Sequence, residues 1–230
     1  MAVGAFFDVD GTLIARNSAT LYMRHLRRTG QARRRDLAWT LYYLLRYKLG
    51  RLDIDEALQE SMRFVRGKGE TATRRDADAW YERDVRPWLY PQMADRVAEH
   101  RRAGHVVALV TSATRYLAGP LAAELGIEHF LVTQLVVRDG AFTGEAVRPL
   151  CYGAGKVHWA RELAAREGID LAASYFYTDS ITDLPLLEAV GLQRIVNPDL
   201  PLRRLAQHRG WPILWPVLGE KSSLPLAIPG

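Results

Sequence analysis

The sequence is poor in cysteine and contains no long apolar run. Its 230 residues include one cysteine, Cys151, so an internal disulfide is excluded. No charged, apolar and small-residue signal pattern precedes the first apolar segment, and we therefore expect a cytoplasmic protein. The most apolar helical segment, residues 33–49, is too short and too charged to cross a bilayer, which takes ~20 predominantly apolar residues.

Patterns typical of nucleic-acid binding and of histidine-rich metal sites are also missing. The chain has a net charge of +5 and a pI near 9.5. Its arginines are spread over many amphipathic segments and form no recognised nucleic-acid motif. The six histidines show no metal-ligand spacing. We therefore expect no nucleic-acid partner and interpret the positive charge as a weak indication of anionic substrates.

The second half of the chain has the pattern of an α/β domain. With 48% hydrophobic residues, the chain can bury one core and support a small second domain. Strands alternate with helices, which predicts a doubly wound parallel sheet covered on both faces. The strands are predicted up to Thr111 and at 129–137, 174–178 and 193–197, and the helices at 91–103, 115–125, from Lys156 onward, 183–190 and 200–209. Asp139-Gly140 predicts a hairpin turn.

Residues 15–94 predict helices and no strand, which indicates a helical cap inserted into a core made of residues 1–14 and 95–220. The helices are predicted at 16–29, 33–49, 53–66 and 70–86. The aromatic 33–49 helix is favoured as buried in the cap. The alternative is an interfacial helix that places its arginines near anionic lipid.

Two aspartates follow the first apolar run, AVGAFFDVDGTLI. Asp8 and Asp10 lie at the carboxyl end of the predicted first strand, where open α/β sheets bind their ligands, and residues two apart leave an extended segment on the same side. Gly11 allows a close turn, and the N–H groups after it can receive an anion. Taken alone, the stretch fits an Asp-Gly hairpin turn equally well.

Three later segments supply matching polar groups. Thr111 and Ser112 end a β-branched run, and the small Ala113 follows them. Lys156 opens an amphipathic helix behind two glycines, which suits an anionic ligand. Asp179 follows another strand, and Asp183 comes four residues later. Each segment alone is weak, but their order along the chain is difficult to obtain by accident.

The chain resembles the haloacid dehalogenase (HAD) superfamily, in its subfamily IB, the phosphoserine phosphatase-like branch. Its four motifs match DVDGTL (8–13), VTSAT (110–114), Lys156 and YTDSITD (177–183). The dehalogenase branch lacks the second aspartate, so Asp10 favours phosphoryl transfer. The resemblance implies an α/β core with a helical cap, and a phosphoric monoester hydrolase with Asp8 as nucleophile and Asp10 as proton carrier.

Phosphoryl chemistry by itself requires a similar arrangement. A phosphate monoester repels a carboxylate unless positive charge is supplied, and oxygen ligands suit Mg²⁺. We predict metal ligation by Asp8 and Asp179, and the resemblance adds the backbone carbonyl of Asp10. Phosphate binding is predicted for Ser112, for the N–H groups of Gly11 and Ala113, for Lys156 and for Thr12, whose hydroxyl alternatively serves only the local turn. Asp183 is predicted to orient Lys156.

The substrate is less well indicated, because it is read by the cap. When the chain is aligned by spacing with phosphoserine phosphatase, Asn17 and Ser61 replace a Glu and an Arg that bind the amino acid's charges. This argues against phosphoserine and favours another small phosphorylated metabolite. A phospholipid monoester at a membrane surface and a phosphotransferase reaction remain alternatives, and the sequence indicates no oligomeric state.

Overall fold

This computed structural model describes residues 1–31 and 65–219, together with the helical residues Tyr42, Leu45 and Arg46. The described strands are β1 Ala2–Phe7, β2 Val106–Thr114, β3 His129–Thr133, β4 Leu135–Arg138, β5 Ala141–Ala146, β6 Ile169–Thr178, β7 Leu192–Val196 and β8 Ile213–Leu214. Six of them form a sheet in the order β3-β2-β1-β6-β7-β8, and each neighbouring pair in it is parallel. The other two, β4 and β5, form an antiparallel hairpin.

Helices cover both faces of this sheet, as the alternating pattern predicts. Phe7 is fully buried in one apolar cluster with Met93, whereas its neighbour Phe6 is fully buried in the opposite cluster with Leu163 and Leu186. The α/β doubly wound core is therefore confirmed. The helices are α1 Ser18–Arg28, α2 Glu70–Trp80, α3 Pro91–Arg102, α4 Arg115–Leu125, α5 Ala154–Glu167, α6 Leu184–Ala189 and α7 Leu200–Arg209.

The helix predicted at 16–29 is confirmed as α1, and its N-cap is Asn17. The Asn17 side chain accepts a hydrogen bond from the Thr20 N–H at 3.0 Å, which satisfies one of the free donors of the first turn. The helix predicted at 70–86 ends earlier, at Trp80. A π-helical turn and a 3₁₀ turn follow it, and Pro87 lies in the 3₁₀ turn, where its missing N–H and fixed φ fit a tight turn.

The strand predicted at 129–137 is in fact two strands, β3 and β4, that end and begin on either side of Gln134. β3 stays in the parallel sheet, while β4 leaves it to pair with β5. The turn between β4 and β5 is the predicted Asp139-Gly140 pair, with φ values of 50° and 73°. Positive φ at both central residues is what a tight hairpin requires, so this part of the prediction is confirmed.

The β4–β5 hairpin is bound to the segment that leads into α2. Gly67 donates its N–H to the Phe142 carbonyl at 2.9 Å, and the Phe142 N–H donates to the Lys68 carbonyl at 3.0 Å. Beside these bonds, the Phe142 ring packs against Tyr116, and the Tyr116 hydroxyl donates to Glu70 at 2.9 Å. The hairpin therefore connects the start of α2 to the first turn of α4, which carries Tyr116.

Several predicted features lie outside the described residues. These are most of the 33–49 helix with its two interpretations, most of the 53–66 helix, and Ser61. The division into a 15–94 cap and a core stays a prediction. In the part of the chain that the structure describes, no helix is long and apolar enough to cross a membrane.

Candidate active site

The site lies where three neighbouring strands end in the middle of the sheet. Phe7 of β1 pairs with Leu109 of β2 on one side and with Tyr177 of β6 on the other. The next residue, Asp8, donates its N–H to the Tyr177 carbonyl at 2.9 Å. Asp8 is thereby fixed at the carboxyl end of β1, which is the edge at which parallel sheets bind ligands.

The loop after Asp8 is a tight turn that requires glycine. The Gly11 N–H donates to the Ile14 carbonyl at 2.8 Å, and the Leu13 N–H donates to Val9 at 2.9 Å. Gly11 has a φ of 75°, and a Cβ atom built on it would overlap the carboxylate of Asp179. Asp179, 168 positions further along the sequence, therefore lies directly against the loop of the first motif.

Lys156 joins two of the aspartates. Its Nζ donates to Asp8 Oδ1 at 2.8 Å and to Asp183 Oδ2 at 2.7 Å, and all three side chains are buried. The Thr178 hydroxyl also donates to Asp183 Oδ2, at 2.6 Å. Burial alone would lower the pKa of Lys156, but the charges of Asp183 and Asp8 outweigh it and raise this pKa. Lys156 is therefore held as a cation.

Asp10 faces the N-terminus of α1. It accepts hydrogen bonds from the Ser18 N–H at 2.9 Å, the Ser18 hydroxyl at 3.0 Å and the Asn17 Nδ2 at 3.1 Å. Burial raises the pKa of Asp10 to about 6, although the bonds from Ser18 oppose the increase. A carboxyl group with a pKa close to neutrality can both release and accept a proton.

The aspartates of the site together carry more negative charge than Lys156 can neutralise. Burial raises the pKa of Asp8 to about 7 against the opposing effect of Lys156. Burial, together with the charges of Asp8, Asp183 and Asp10, raises the pKa of Asp179 well above its usual value. Four aspartates thus surround one lysine. A divalent cation fits this excess, because it would stabilise the ionised forms of Asp8 and Asp179.

The donor set fits a hard cation better than a transition metal. Among the described residues, no three His, Cys, Asp or Glu side chains form a ready-made metal cluster. Mg²⁺ is typically held by one or two carboxylates and keeps several waters, so it needs no such cluster. Asp8, Asp179 and the carbonyl of Asp10 are the oxygens that could hold it.

Some of the predicted phosphate-binding groups already form hydrogen bonds within the protein, and others do not. The N–H groups of Gly11 and Ala113 are already used, by the Ile14 carbonyl and by Thr111 Oγ1 at 3.2 Å. This differs from the expectation that they are free for an anion. The buried Thr12 hydroxyl has no hydrogen-bond partner among the described residues.

At the end of β2 the two hydroxyl residues differ in exposure. Thr111 is 2% exposed, whereas Ser112, the predicted phosphate ligand, is exposed. Successive side chains of a strand point to opposite faces, so the two do not face the same environment.

Other groups at the site are not among the residues predicted from the sequence. The N–H groups of Val9 and Asp10 donate to no atom of the described residues, which leaves two donors beside the carboxylate of Asp8. Thr178 was also missed, although its place directly before Asp179 was a signal. The contact of Ser18 with Asp10 had no clear signal, because it depends on where α1 begins.

Asn197 follows β7 directly and has a φ of 41°. Its buried Nδ2 has no hydrogen-bond partner among the described residues. An unsatisfied buried donor is costly unless a ligand or water completes it.

Comparison with known proteins identifies the family. A model of the haloacid dehalogenase-like hydrolases matches residues 5–188. A probable phosphatase of Mycobacterium tuberculosis is 38% identical over 215 residues, 91% of this chain and 74% of the relative. A phosphoserine phosphatase of the same organism is 32% identical over 93% of this chain and 70% of its own length. A histidinol-phosphatase of Neisseria meningitidis is 31% identical over 91% of this chain and 97% of its own.

Solved structures agree with these matches. A Bordetella pertussis protein of unknown function superposes with a TM-score of 0.84 at 31% identity, and covers 93% of this chain and 99% of its own. A substrate-bound phosphoserine phosphatase superposes with a TM-score of 0.68 at 17% identity, over 89% of this chain and 90% of its own. The second likeness concerns the fold alone. Since the family model spans most of the sequence and includes all four motifs, the chain belongs to the haloacid dehalogenase-like hydrolase family.

Proposed function

We propose that the protein is a Mg²⁺-dependent phosphatase that hydrolyses a small phosphomonoester through an aspartyl-phosphate on Asp8. The observation that carries this proposal is the buried bridge from Lys156 to Asp8 and Asp183, with Asp179 against the Gly11 loop. The names of the relatives, which include several phosphatases, support the reaction class.

Asp8 is the proposed nucleophile. Lys156 binds its Oδ1 and fixes the carboxylate, while Oδ2 accepts no hydrogen bond from the described residues. In the reaction, a carboxylate oxygen of Asp8 attacks phosphorus, and the bond between phosphorus and the leaving oxygen breaks. Water then hydrolyses the aspartyl-phosphate and restores Asp8.

Asp10 is the proposed general acid and base. It protonates the leaving oxygen in the first step and removes a proton from the attacking water in the second. The hydrogen bonds from Ser18 and Asn17 hold its carboxyl group in place during both transfers. Its raised pKa suits this exchange near neutral pH.

The remaining groups bind the transferring phosphoryl. Lys156 offsets negative charge, and the Thr12 hydroxyl and the N–H groups of Val9 and Asp10 are donors without a partner among the described residues. The N–H groups of Gly11 and Ala113 would have to give up their present hydrogen bonds to bind the phosphoryl, whereas the exposed Ser112 stays a predicted ligand. Preorganised donors of this kind stabilise charge that develops in the transition state.

Magnesium, held by Asp8, Asp179 and the Asp10 carbonyl, would neutralise the substrate's charge and align its oxygens with Asp8. Asp183 acts indirectly: it orients Lys156, and the Thr178 hydroxyl holds Asp183 in place.

For the substrate we propose a small phosphorylated metabolite other than phosphoserine. Asn17 carries no charge, and its amide is already occupied: Nδ2 donates to Asp10, and Oδ1 accepts from the N–H and hydroxyl of Thr20. It therefore lacks the carboxylate that would bind a substrate's ammonium group. No contact among the described residues favours the phospholipid or phosphotransferase alternatives.

A phosphate-release screen of small phosphomonoesters and lipid monoesters, with Mg²⁺ and with alcohol acceptors, tests the proposal. The expected result is turnover of at least one soluble phosphomonoester that is abolished by Asp8→Asn. The exposed Asp95→Asn is the matched control and should retain turnover. Phosphate release that survives Asp8→Asn would contradict the nucleophile assignment. Efficient transfer to alcohols would instead support the phosphotransferase.

A further inference from the structure

An arginine lies at the rim of the site, immediately before the residue that contacts Asp10. Arg16 is exposed, and its guanidinium stacks over the Trp88 ring at 4.4 Å from the centroid. The backbone fixes both residues, because the Ala15 N–H donates to the Trp88 carbonyl at 2.9 Å. The Tyr90 N–H donates to Leu13 at 3.0 Å, so two short segments run side by side there. Arg16 is thereby attached to the loop that carries Asp8 and Asp10.

Arg16 has no ion-pair partner within the described ranges, 1–31 and 65–219. Other exposed arginines there do form pairs, such as Arg28 with Asp84 at 2.7 Å and Arg86 with Glu82 at 3.0 Å. The side chain of Arg16 is instead held on an aromatic face, which orders the guanidinium and leaves its N–H donors available.

The charge of Arg16 reaches the site. Burial raises the pKa of the Tyr90 hydroxyl; the negative charge of Asp179 raises it further, and the positive charge of Arg16 lowers it. Tyr90 therefore lies near both charged groups, which places Arg16 at the edge of the crevice that contains Asp179. Because the phosphoryl group would lie at Asp8 inside the crevice, the part of the substrate that reaches the exposed Arg16 is the leaving group.

We propose that Arg16 binds a second anionic group, a carboxylate or a phosphate, on the leaving-group part of the substrate. This deepens the proposed phosphatase function and rests on it. A guanidinium presents a planar set of donors that matches either anion with two hydrogen bonds, and such charge-assisted bonds are stronger than neutral ones. The substrate class is then a phosphomonoester that carries a further negative charge.

Two matched pairs of esters test this inference in the full-length protein. Glycerol 3-phosphate and 3-phosphoglycerate differ by a carboxylate, and fructose 6-phosphate and fructose 1,6-bisphosphate differ by a phosphate. The measured quantity is the ratio of kcat/KM within each pair. We expect the wild type to prefer the more anionic member of at least one pair by ~10-fold or more, as a charge-assisted hydrogen bond allows. The pair that shows the preference identifies the anion.

Arg16→Gln, which keeps a planar polar end group on a shorter side chain and removes the charge, should bring that ratio close to one. Arg16→Lys should restore part of it. Arg24→Ala, an exposed arginine of α1, is the control and should keep the wild-type ratio and the wild-type kcat/KM. A general loss of structure would lower kcat/KM for both members of a pair and leave the ratio unchanged.

The outcomes separate the two proposals. Three results would overturn the role of Arg16 and leave the phosphatase function standing. These are turnover of these esters without an anion preference, a preference that persists in Arg16→Gln, and turnover confined to esters whose leaving group carries no negative charge. Absence of phosphate release from every ester in this set and in the wider screen would overturn the phosphatase function and this inference with it.

Discussion

The carboxylate of Asp179 occupies the space that a Cβ atom on Gly11 would need. Gly11 belongs to the first of the four motifs and Asp179 to the fourth, so this contact joins two motifs that are far apart in the sequence. Because Gly11 also has a positive φ, two separate constraints exclude a side chain there.

Gly11→Ala should therefore displace Asp179 and impair the metal site. We expect a large loss of phosphate release and a higher Mg²⁺ concentration for half-maximal activity. Gly104→Ala is the matched control: Gly104 has a φ of 74° and nothing within 4 Å of the added atom. It should carry a similar backbone strain but keep wild-type activity. Equal activity losses in the two variants would show that strain alone, and not the contact with Asp179, is responsible.

Asp10→Asn should slow turnover according to the leaving group. General acid–base help contributes ~10²–10⁴-fold, and matters least when the leaving oxygen is already a stable anion. We expect a small loss with p-nitrophenyl phosphate and a large loss with an alkyl phosphate, measured as kcat/KM. The variant keeps a side chain of the same shape beside Ser18. Equal losses on the two esters would remove the proton-transfer role.

Turnover should require Mg²⁺ and should be inhibited by Ca²⁺, whose larger radius and looser coordination would misplace the oxygens. Asp179→Asn should raise the Mg²⁺ requirement more than Asp183→Asn, because Asp183 is bonded to Lys156 and Thr178 and acts indirectly. Magnesium titrations of both variants measure the difference. Full activity after exhaustive chelation would contradict the metal assignment.

A buried histidine should make stability depend on pH. His100 is fully buried; its Nδ1 lies 2.8 Å from His105 Nδ1, and its Nε2 lies 2.9 Å from the Tyr177 hydroxyl. Burial, followed by the charges of His105, Arg96 and Arg194, lowers its pKa to about 3. An unfolded chain binds a proton at this residue below pH ~6.5, where the folded protein does not. Stability is therefore retained above that pH and lost as the pH falls toward 3.

Denaturant unfolding of the wild type and of His100→Gln at a series of pH values measures this effect. The difference in unfolding free energy between them should change by up to about 1.4 kcal/mol per pH unit below pH ~6.5. It should be constant above that value. A difference that is independent of pH throughout would show that His100 takes up a proton in the folded protein.

Much of the fold and the identity of the motifs could be predicted because their signals are local. Asp8, Asp179 and Lys156 each follow an apolar strand or open a helix, and parallel strands bring such positions to one edge. The ion pair between Lys156 and Asp183 agrees with the orienting role predicted for Asp183, although that role stays a prediction.

Features that depend on distant contacts could not be predicted in the same way. The bonds from Ser18 to Asp10 depend on the angle at which α1 leaves the loop, and local pattern does not encode this angle. After Gln134, β4 leaves the sheet to pair with β5, and β5 is bonded to residues 67–69, more than 70 positions earlier in the chain. The pattern of apolar and polar residues within 129–137 does not indicate that partner.

The attachment of residues 67–69 to the hairpin has an evolutionary consequence. Its bonds join backbone atoms, so they persist when the surrounding side chains change. The segment between the first and second motifs can therefore diverge in sequence and acquire new substrates while it stays anchored. A chimera that exchanged this segment between relatives would have to transfer residues 135–146 with it, since a hairpin of another length would leave those backbone groups unpaired.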